Sequence, residues 1–138
     1  ANQTTNKDLL GGLYNNMALS CTALGRFDQA LELYGKALDL MEDVPGGILE
    51  QAITYLNMAN AKEAQLGMEN AEAEIFRYLD RAETLIDQAQ SLSGKSGIIH
   101  EGYYAFVCES CAPTFSYYGY FLTAEELNRR AKEIYERT

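Results

Sequence analysis

The chain is poor in the residues that most often build catalytic and disulfide-bonded sites. Its 138 residues include one histidine, three cysteines and two prolines. A small, odd number of cysteines does not make a disulfide framework, which favours a reducing, cytoplasmic setting. A single histidine leaves little choice of general base, and the sequence contains no glycine-rich phosphate loop and no serine elbow. The sequence therefore predicts a protein that is not an enzyme and needs no cofactor.

Long apolar runs and clustered basic residues are also missing. No apolar run approaches the roughly 18 residues that a membrane helix needs, and the polar start Ala1–Lys7 does not resemble a signal peptide. The net charge is −9, and the densest basic stretch, Arg129–Lys132, lies among glutamates on what we predict to be a solvated helix face. We therefore expect no membrane and no nucleic-acid partner, and a neutral or basic protein or peptide partner instead.

Helical periodicity dominates the rest of the sequence. Apolar residues recur at helical spacing almost throughout, and two prolines interrupt few helices. Gly25, Gly67 and Gly119 are expected to end helices, whereas Asn70 and the capping box Thr123–Glu126 are expected to start them. These signals predict an all-α protein of six helices. The predicted ranges are about 8–24, 28–42, 48–66, 71–91 and 98–118, and from 123 onwards.

One helix-turn-helix pattern occurs three times. The second occurrence begins 41 residues after the first, and the third repeats the turn and the residues on both sides of it. A unit that recurs buries its apolar face against its neighbours, so we predict one domain over residues 1–138. Its units would span about 8–44, 45–92 and 97–138. Because the chain starts at Ala1 without a methionine, we expect it to be a piece of a longer protein.

The first unit carries the fullest version of the pattern. It contains Tyr14, Met17-Ala18, Cys21, Gly25-x-Phe27-x-x-Ala30, Tyr34 and Ala37-Leu38. This pattern resembles the tetratricopeptide repeat. The second unit departs from it by a longer turn, Met68–Glu74, with Ile75 where the family prefers alanine, and the third unit has Asn128 where a tyrosine is usual.

The resemblance implies a right-handed superhelical stack of three hairpins that binds a partner without catalysis. The spacing of 41 residues is similar to the longer-repeat branch of the family, such as kinesin light chain. Those repeats bind extended peptides in a concave groove that is lined by the first helix of each hairpin. Here the resemblance places six residues in such a groove, namely Asn15, Asn16, Leu19, Leu56, Asn57 and Asn60.

The asparagines suit a peptide ligand. An amide side chain both donates and accepts hydrogen bonds, so Asn16 and Asn57, at equivalent positions, can hold a peptide backbone whatever its side chains. A subset of the family binds the acidic C-termini of heat-shock chaperones through a lysine and arginine clamp. The equivalent positions here are Asn15, Leu19, Asn57, Phe106 and Ser110. Because none of them is basic, that class of partner is rejected.

The aromatic third unit offers an alternative function. Eight aromatic residues lie between Tyr103 and Phe121, more than one hairpin core needs. Tyrosine provides a large contact area at low entropy cost, so the excess predicts a surface for a partner or for a homo-oligomer. The residues that would form this surface are Tyr103, Tyr117, Tyr118 and Tyr120.

A redox or zinc sensor is a second alternative. Cys108-x-x-Cys111 has the spacing of such sites, but both positions ordinarily hold apolar core residues in this pattern. A zinc site needs about four ligands, and only Cys21 and His100 remain as candidates. We therefore predict core packing for the two cysteines and no metal site. Nearby, Pro113 lies within the fifth predicted helix, where a bend is expected.

Overall fold

Six helices make up the described part of the chain. The computed structural model describes residues 3–94 and 97–137. The helices are α1 (Gln3–Ala23), α2 (Phe27–Glu42), α3 (Ile48–Leu66), α4 (Met68–Leu92), α5 (Glu101–Tyr117) and α6 (Phe121–Arg137). Apart from one isolated bridge between Ser93 and Ile99, these residues contain no extended pairing. The all-α prediction is confirmed. None of the described helices combines the length and apolarity needed to cross a membrane.

The helices form three consecutive hairpins. Contacts are most extensive between α1 and α2, between α3 and α4 and between α5 and α6, and α3 also packs against α2. A glycine with positive φ lies in each hairpin turn: Gly25 at 79°, Gly67 at 82° and Gly119 at 90°. Side chains with a Cβ rarely adopt this conformation, so glycine allows the chain to reverse sharply. The predicted helix ends at these glycines are confirmed.

Alanines at matching positions bring the two helices of each hairpin together. They are Ala18, Ala59 and Ala112 on the first helices and Ala30, Ala71 and Ala124 on the second, all of them buried. Tyr34, Ile75 and Phe115 are fully buried and fill the space around them. The larger core cluster extends over α3 to α6, and a smaller one joins α1 and α2 to Ala61 of α3.

The start of α4 corrects two expectations. α4 begins at Met68, and Asn70 lies in its first turn, where its amide donates to the Leu66 carbonyl oxygen (3.0 Å) and does not cap the helix. Gly67 alone connects α3 to α4, because its positive φ with an extended ψ of 155° turns the chain within one residue. The predicted long turn Met68–Glu74 is therefore wrong.

This short turn restores the register of the second unit. Ala71, which is 2% exposed, follows Ala30 by the same 41 residues that separate the first two units. Ile75 is the equivalent of Tyr34, and both side chains are fully buried. The position where the family prefers alanine is thus occupied by Ala71, and Ile75 is an ordinary core residue.

Three other helix starts also differ from the prediction. α1 begins at Gln3, ahead of the predicted start. α5 begins after His100, whose Nδ1 accepts a hydrogen bond from the Gly102 N–H (3.0 Å) and caps the helix. α6 begins at Phe121, so Thr123 lies inside it. The predicted capping box is therefore wrong, and the Thr123 hydroxyl instead donates to Glu83 of α4.

The connection between α4 and α5 falls partly outside the described residues. On its described side, the Ile99 N–H donates to the Leu92 carbonyl oxygen (3.0 Å). α5 continues through Pro113, so the proline does not end the helix. The distance in sequence from Cys111 to Gly119 matches that from Met17 to Gly25, which keeps the turn of the third unit in place.

Arg130 links three helices at the end of the stack. Its guanidinium donates to Asp87 of α4 (2.9 Å), to the Tyr104 hydroxyl of α5 (3.0 Å) and to Glu126 of α6 (2.8 Å). The Arg130 side chain is only 13% exposed, so the predicted solvated face holds for its neighbours but not for this residue. Hydrogen bonds from Arg129 and Arg130 lower the pKa of Glu126 to about 2.

This network predicts a pH-dependent contribution to stability. The pKa of Glu126 lies below the unfolded value of about 4.3, so the carboxylate stabilises the fold above that pH and ceases to do so as the pH falls towards 2. Because the Glu126 side chain is 38% exposed, we discount the effect to about 1 kcal/mol. Glu126→Gln should lower the free energy of unfolding by that amount at pH 7, measured by urea denaturation. The difference in the free energy of unfolding between the wild type and the variant should decrease as the pH falls from 5 to 3.

The matched control is Glu125→Gln. Glu125 is the exposed neighbour of Glu126, and it forms no ion pair with the described residues. Equal pH dependence of unfolding in the two variants would contradict the assignment of this effect to Glu126.

Candidate functional site

The first helices of the three hairpins share one row of positions that the second helices do not cover. Spacings of three and four residues put five positions of each helix on one face. They are Leu9, Gly12, Asn16, Leu19 and Ala23 on α1, Glu50, Ile53, Asn57, Asn60 and Ala64 on α3, and Tyr103, Phe106, Ser110, Pro113 and Tyr117 on α5. We call these fifteen residues the first-helix face. All of them are exposed or half-buried.

Four of the six predicted peptide-binding residues lie on the first-helix face. Asn16 and Leu19 are exposed, Asn57 is half-buried, and Asn60 is exposed. The Asn60 side-chain oxygen accepts a hydrogen bond from the Tyr118 hydroxyl (2.8 Å), so it is partly engaged within the chain. Asn16, Asn57 and Ser110 occupy equivalent positions in the centre of the face, which is therefore polar across all three units.

The other two predicted residues lie off this face. Asn15 is half-buried, and its side-chain oxygen accepts a hydrogen bond from the Thr54 hydroxyl of α3 (3.2 Å). Leu56 is 4% exposed and belongs to the core cluster of α3 to α6, so a peptide cannot reach it in this structure. The two positions are equivalent in the repeat. Asn15 contacts the following unit and Leu56 is buried in the core, so neither lines an open surface.

The four tyrosines predicted as an association surface are tied to the second unit instead. Tyr103 donates to Glu50 (2.5 Å), Tyr117 to Glu63 (2.7 Å) and Tyr118 to Asn60 (2.8 Å), all on α3. Tyr120 donates to Asp80 of α4 (2.7 Å). Tyr118 is only 8% exposed, and burial raises its pKa. Tyr117 and Tyr118 also contact each other edge to face, with ring centroids 4.8 Å apart.

Carboxylates are the charged groups at the first-helix face. Glu50 belongs to it, and Glu63 lies beside it in contact with Tyr117. The hydrogen bond from Tyr117 to the Glu63 carboxylate raises the pKa of this phenol, so the phenol stays neutral. The described lysines of the first helices are engaged elsewhere: Lys7 pairs with Asp43, the residue that follows α2 (3.1 Å), and Lys62 with Glu74 of α4 (3.3 Å).

The cysteines lie in the core. Cys108 is 0% and Cys111 4% exposed, and neither is in a disulfide. Burial raises the pKa of Cys108 and raises that of Cys111 to about 12, so both thiols stay protonated. Among residues 3–94 and 97–137, no group of three or more histidine, cysteine or acidic side chains is placed to hold a metal ion.

A cavity of about 600 Å³ lies away from the first-helix face, between α4, α5 and α6. Its arginines do not offer a free anion site, because each is paired with acids of this chain. Arg137 pairs with Glu101, and Arg130 is held in the network described above. We therefore assign this cavity to the packing of the third unit.

Sequence reasoning missed an apolar stripe on α1. It consists of Leu10, Leu13, Met17 and Leu24, whose side chains are 40–69% exposed. The equivalents in the second unit are Gln51, Thr54, Met58 and Gln65, and each contacts the first unit. The α1 stripe thus has the position of a surface between units, but no unit of the described part of the chain packs against it. Aligning the repeats could have revealed the stripe, because the position of Leu10 on α1 is taken by the polar Gln51 on α3, 41 residues later.

The stack of matched hairpins defines a helical-repeat protein, and the comparison with known families identifies the repeat. Residues 9–83, more than half of the chain, match the family model of the tetratricopeptide repeat. The chain therefore belongs to the tetratricopeptide repeat family, whose members generally mediate protein–protein interaction. A search of curated proteins and a search of solved structures each found no significant match.

Burial of the cysteines predicts slow thiol chemistry. In the Cys21→Ser variant, Cys108 and Cys111 should react with a thiol reagent about a hundredfold more slowly in the native protein than in guanidinium chloride, because a buried, protonated thiol is a poor nucleophile. The rate is measured from the absorbance of the coloured thiolate that the reagent releases when it reacts with a cysteine. Fast reaction of the native protein, or bound zinc detected by metal analysis, would instead support the sensor alternative.

Proposed function

We propose that this protein is a non-catalytic scaffold whose first-helix face binds an extended segment of a partner protein. The observation that supports this function best is the polar centre of the face, where Asn16, Asn57 and Ser110 take equivalent positions on neighbouring helices. Within residues 3–94 and 97–137, no hydrogen bond engages the side chains of Asn16 and Asn57, whereas Asn15 and Asn60 already have partners. Two amides are thus available to an outside ligand.

A peptide backbone is the ligand that these amides suit. Each can donate to a carbonyl and accept from an N–H, and an extended chain presents both groups at regular intervals. The exposed apolar side chains of Leu19 and Phe106, 46% and 59% exposed, flank the amides and add contact area. The carboxylates at the face favour a neutral or basic segment over an acidic one, nucleic acid or an anionic membrane.

We also propose a branch of the family and a cellular setting for this protein. The repeat spacing of 41 residues supports a place near the longer-repeat, kinesin light chain-like branch of the family. Three free, buried thiols are in keeping with a reducing, cytoplasmic setting. No step of the proposed function requires a cofactor or a chemical reaction.

The test uses the double variant Asn16→Ala, Asn57→Ala. Random dodecapeptides displayed on phage are selected against the wild-type protein, and the dissociation constants of the enriched peptides are measured by calorimetry. Loss of two amide contacts should weaken binding about tenfold. The control variant Gln88→Ala, Asn128→Ala removes two exposed amides from the second helices and should bind as the wild type does. Equal affinity of all three proteins would refute a role for the first-helix face.

Self-association is the second candidate function, and the α1 stripe favours it over the aromatic third unit. Residues 9–25 contain no charged side chain, although 22% of the chain is charged and its net charge is −9. Two copies can therefore meet at α1 without the repulsion that other faces would cause. Head-to-tail stacking fits less well. On α6, the equivalents of Leu31, Tyr34 and Leu38 are Glu125, Asn128 and Lys132.

Sedimentation equilibrium tests this candidate. If α1 pairs with α1 of a second copy, the mass should rise from 15.4 kDa towards twice that value with concentration, and Leu13→Glu, Met17→Glu should keep it at 15.4 kDa. The control Leu122→Glu changes a residue that is 81% exposed on α6 and should leave association intact. A monomer at every concentration would exclude self-association, and loss of the dimer in Tyr117→Glu would assign it to the third unit.

A further inference from the structure

We propose that the first-helix face selects a segment with two cationic side chains about six residues apart and an apolar side chain between them. One cation would lie at Glu50 and Tyr103, and the other at Glu63 and Tyr117. This inference rests on the proposed function, since it specifies the chemistry of the segment that the face binds. It is carried by the charge, the spacing and the exposure of these residues.

No cation among the described residues compensates the charge of the face. None of the fifteen positions of the first-helix face is basic, and α5 has no lysine or arginine along its length. Among the described residues, Glu50 and Glu63 form no ion pair, while Lys7 of α1 pairs with Asp43 and Lys62 of α3 pairs with Glu74. Both carboxylates are half-buried, which reduces screening by water and strengthens their attraction for an incoming cation.

Each carboxylate keeps room for a cation beside its tyrosine. The tyrosine hydroxyl occupies one oxygen of each acid, Oε1 of Glu50 and Oε2 of Glu63. A carboxylate has about four acceptor positions, so a lysine or arginine can bind to the remaining ones. The ring of Tyr117, which adjoins Glu63, adds a surface for cation–π contact. Tyr117, which is 68% exposed, presents most of its ring to the outside.

The two acid–tyrosine pairs lie at opposite ends of the same helix pair. Tyr103 and Tyr117 are separated by 14 positions and Glu50 and Glu63 by 13, and the hydrogen bonds at both ends show that α3 and α5 run side by side between them. At 1.5 Å per residue, the pairs are about 20 Å apart. An extended peptide advances about 3.3 Å per residue, so about six residues connect the two sites.

The surface between the pairs is apolar at one end and polar in the middle. Ile53 and Phe106 lie one turn from the first pair, and Phe106 is 59% exposed. Asn57 and Ser110 follow and can hold the peptide backbone. An apolar side chain next to the first cation is therefore the arrangement that this face matches best.

The experiment repeats the dodecapeptide selection with charge variants of the protein. Peptides enriched on the wild type should carry pairs of lysine or arginine about six residues apart. Binding of such a peptide should weaken about tenfold in Glu50→Gln, Glu63→Gln and severalfold on raising the salt concentration, as expected for partly exposed ion pairs. The matched control Glu69→Gln, Glu72→Gln makes the same change in net charge on exposed positions of α4 and should bind as the wild type does.

The outcomes separate this inference from the proposed function. Enriched peptides without paired cations, whose binding still depends on Asn16 and Asn57, would overturn the inference and leave the proposed function standing. Equal loss in the two glutamine variants would also overturn it, because the effect would then come from net charge alone. If no peptide is enriched, both the inference and the proposed function fail.

Discussion

Close approach of the two helices within each hairpin is the constraint on which the rest of the structure depends. Alanine occupies the contact position of the first helix at Ala18, Ala59 and Ala112, and of the second helix at Ala30, Ala71 and Ala124. Because these side chains are small, the backbones come together and the larger neighbours interdigitate around them. A hairpin made in this way leaves one flank of each helix apolar, so it is stable only when the next hairpin covers it.

The packing of each hairpin on the next determines which residues can bind a partner. The side of the first helix next to the alanines packs on the second helix, and a second side packs on the following unit, as Asn15 does through Thr54 and Leu56 does through the core. The first-helix face remains accessible to solvent, and it recurs at the same positions in each unit. Tyr103, Tyr117 and Tyr118 then fix α5 to α3 by hydrogen bonds, which holds neighbouring rows of this face in a defined relation.

The sequence was sufficient for features that depend on short-range patterns. Helical spacing predicted the range of α3 and the burial of the cysteines. The conformational freedom of glycine predicted the hairpin turns at Gly25 and Gly119. The sequence was insufficient where distant residues decide the outcome. Thr123 looked like a cap because its partner, Glu83, is far away in the sequence, and the tyrosines of α5 looked surplus because their acceptors lie on α3. Leu56 looked exposed because one helix alone does not reveal which flank its neighbour covers.

The two ends of the stack differ in a way that follows from the same repeat logic. At the α6 end, the positions that are apolar on α2 hold Glu125, Asn128 and Lys132, so water can cover this end at little cost. At the α1 end, Leu10, Leu13 and Met17 remain apolar and exposed. Burying them would recover hydrophobic free energy at roughly 25 cal/mol per Å² of apolar surface. At these positions the α6 end is therefore polar, whereas the α1 end has the composition of a contact surface.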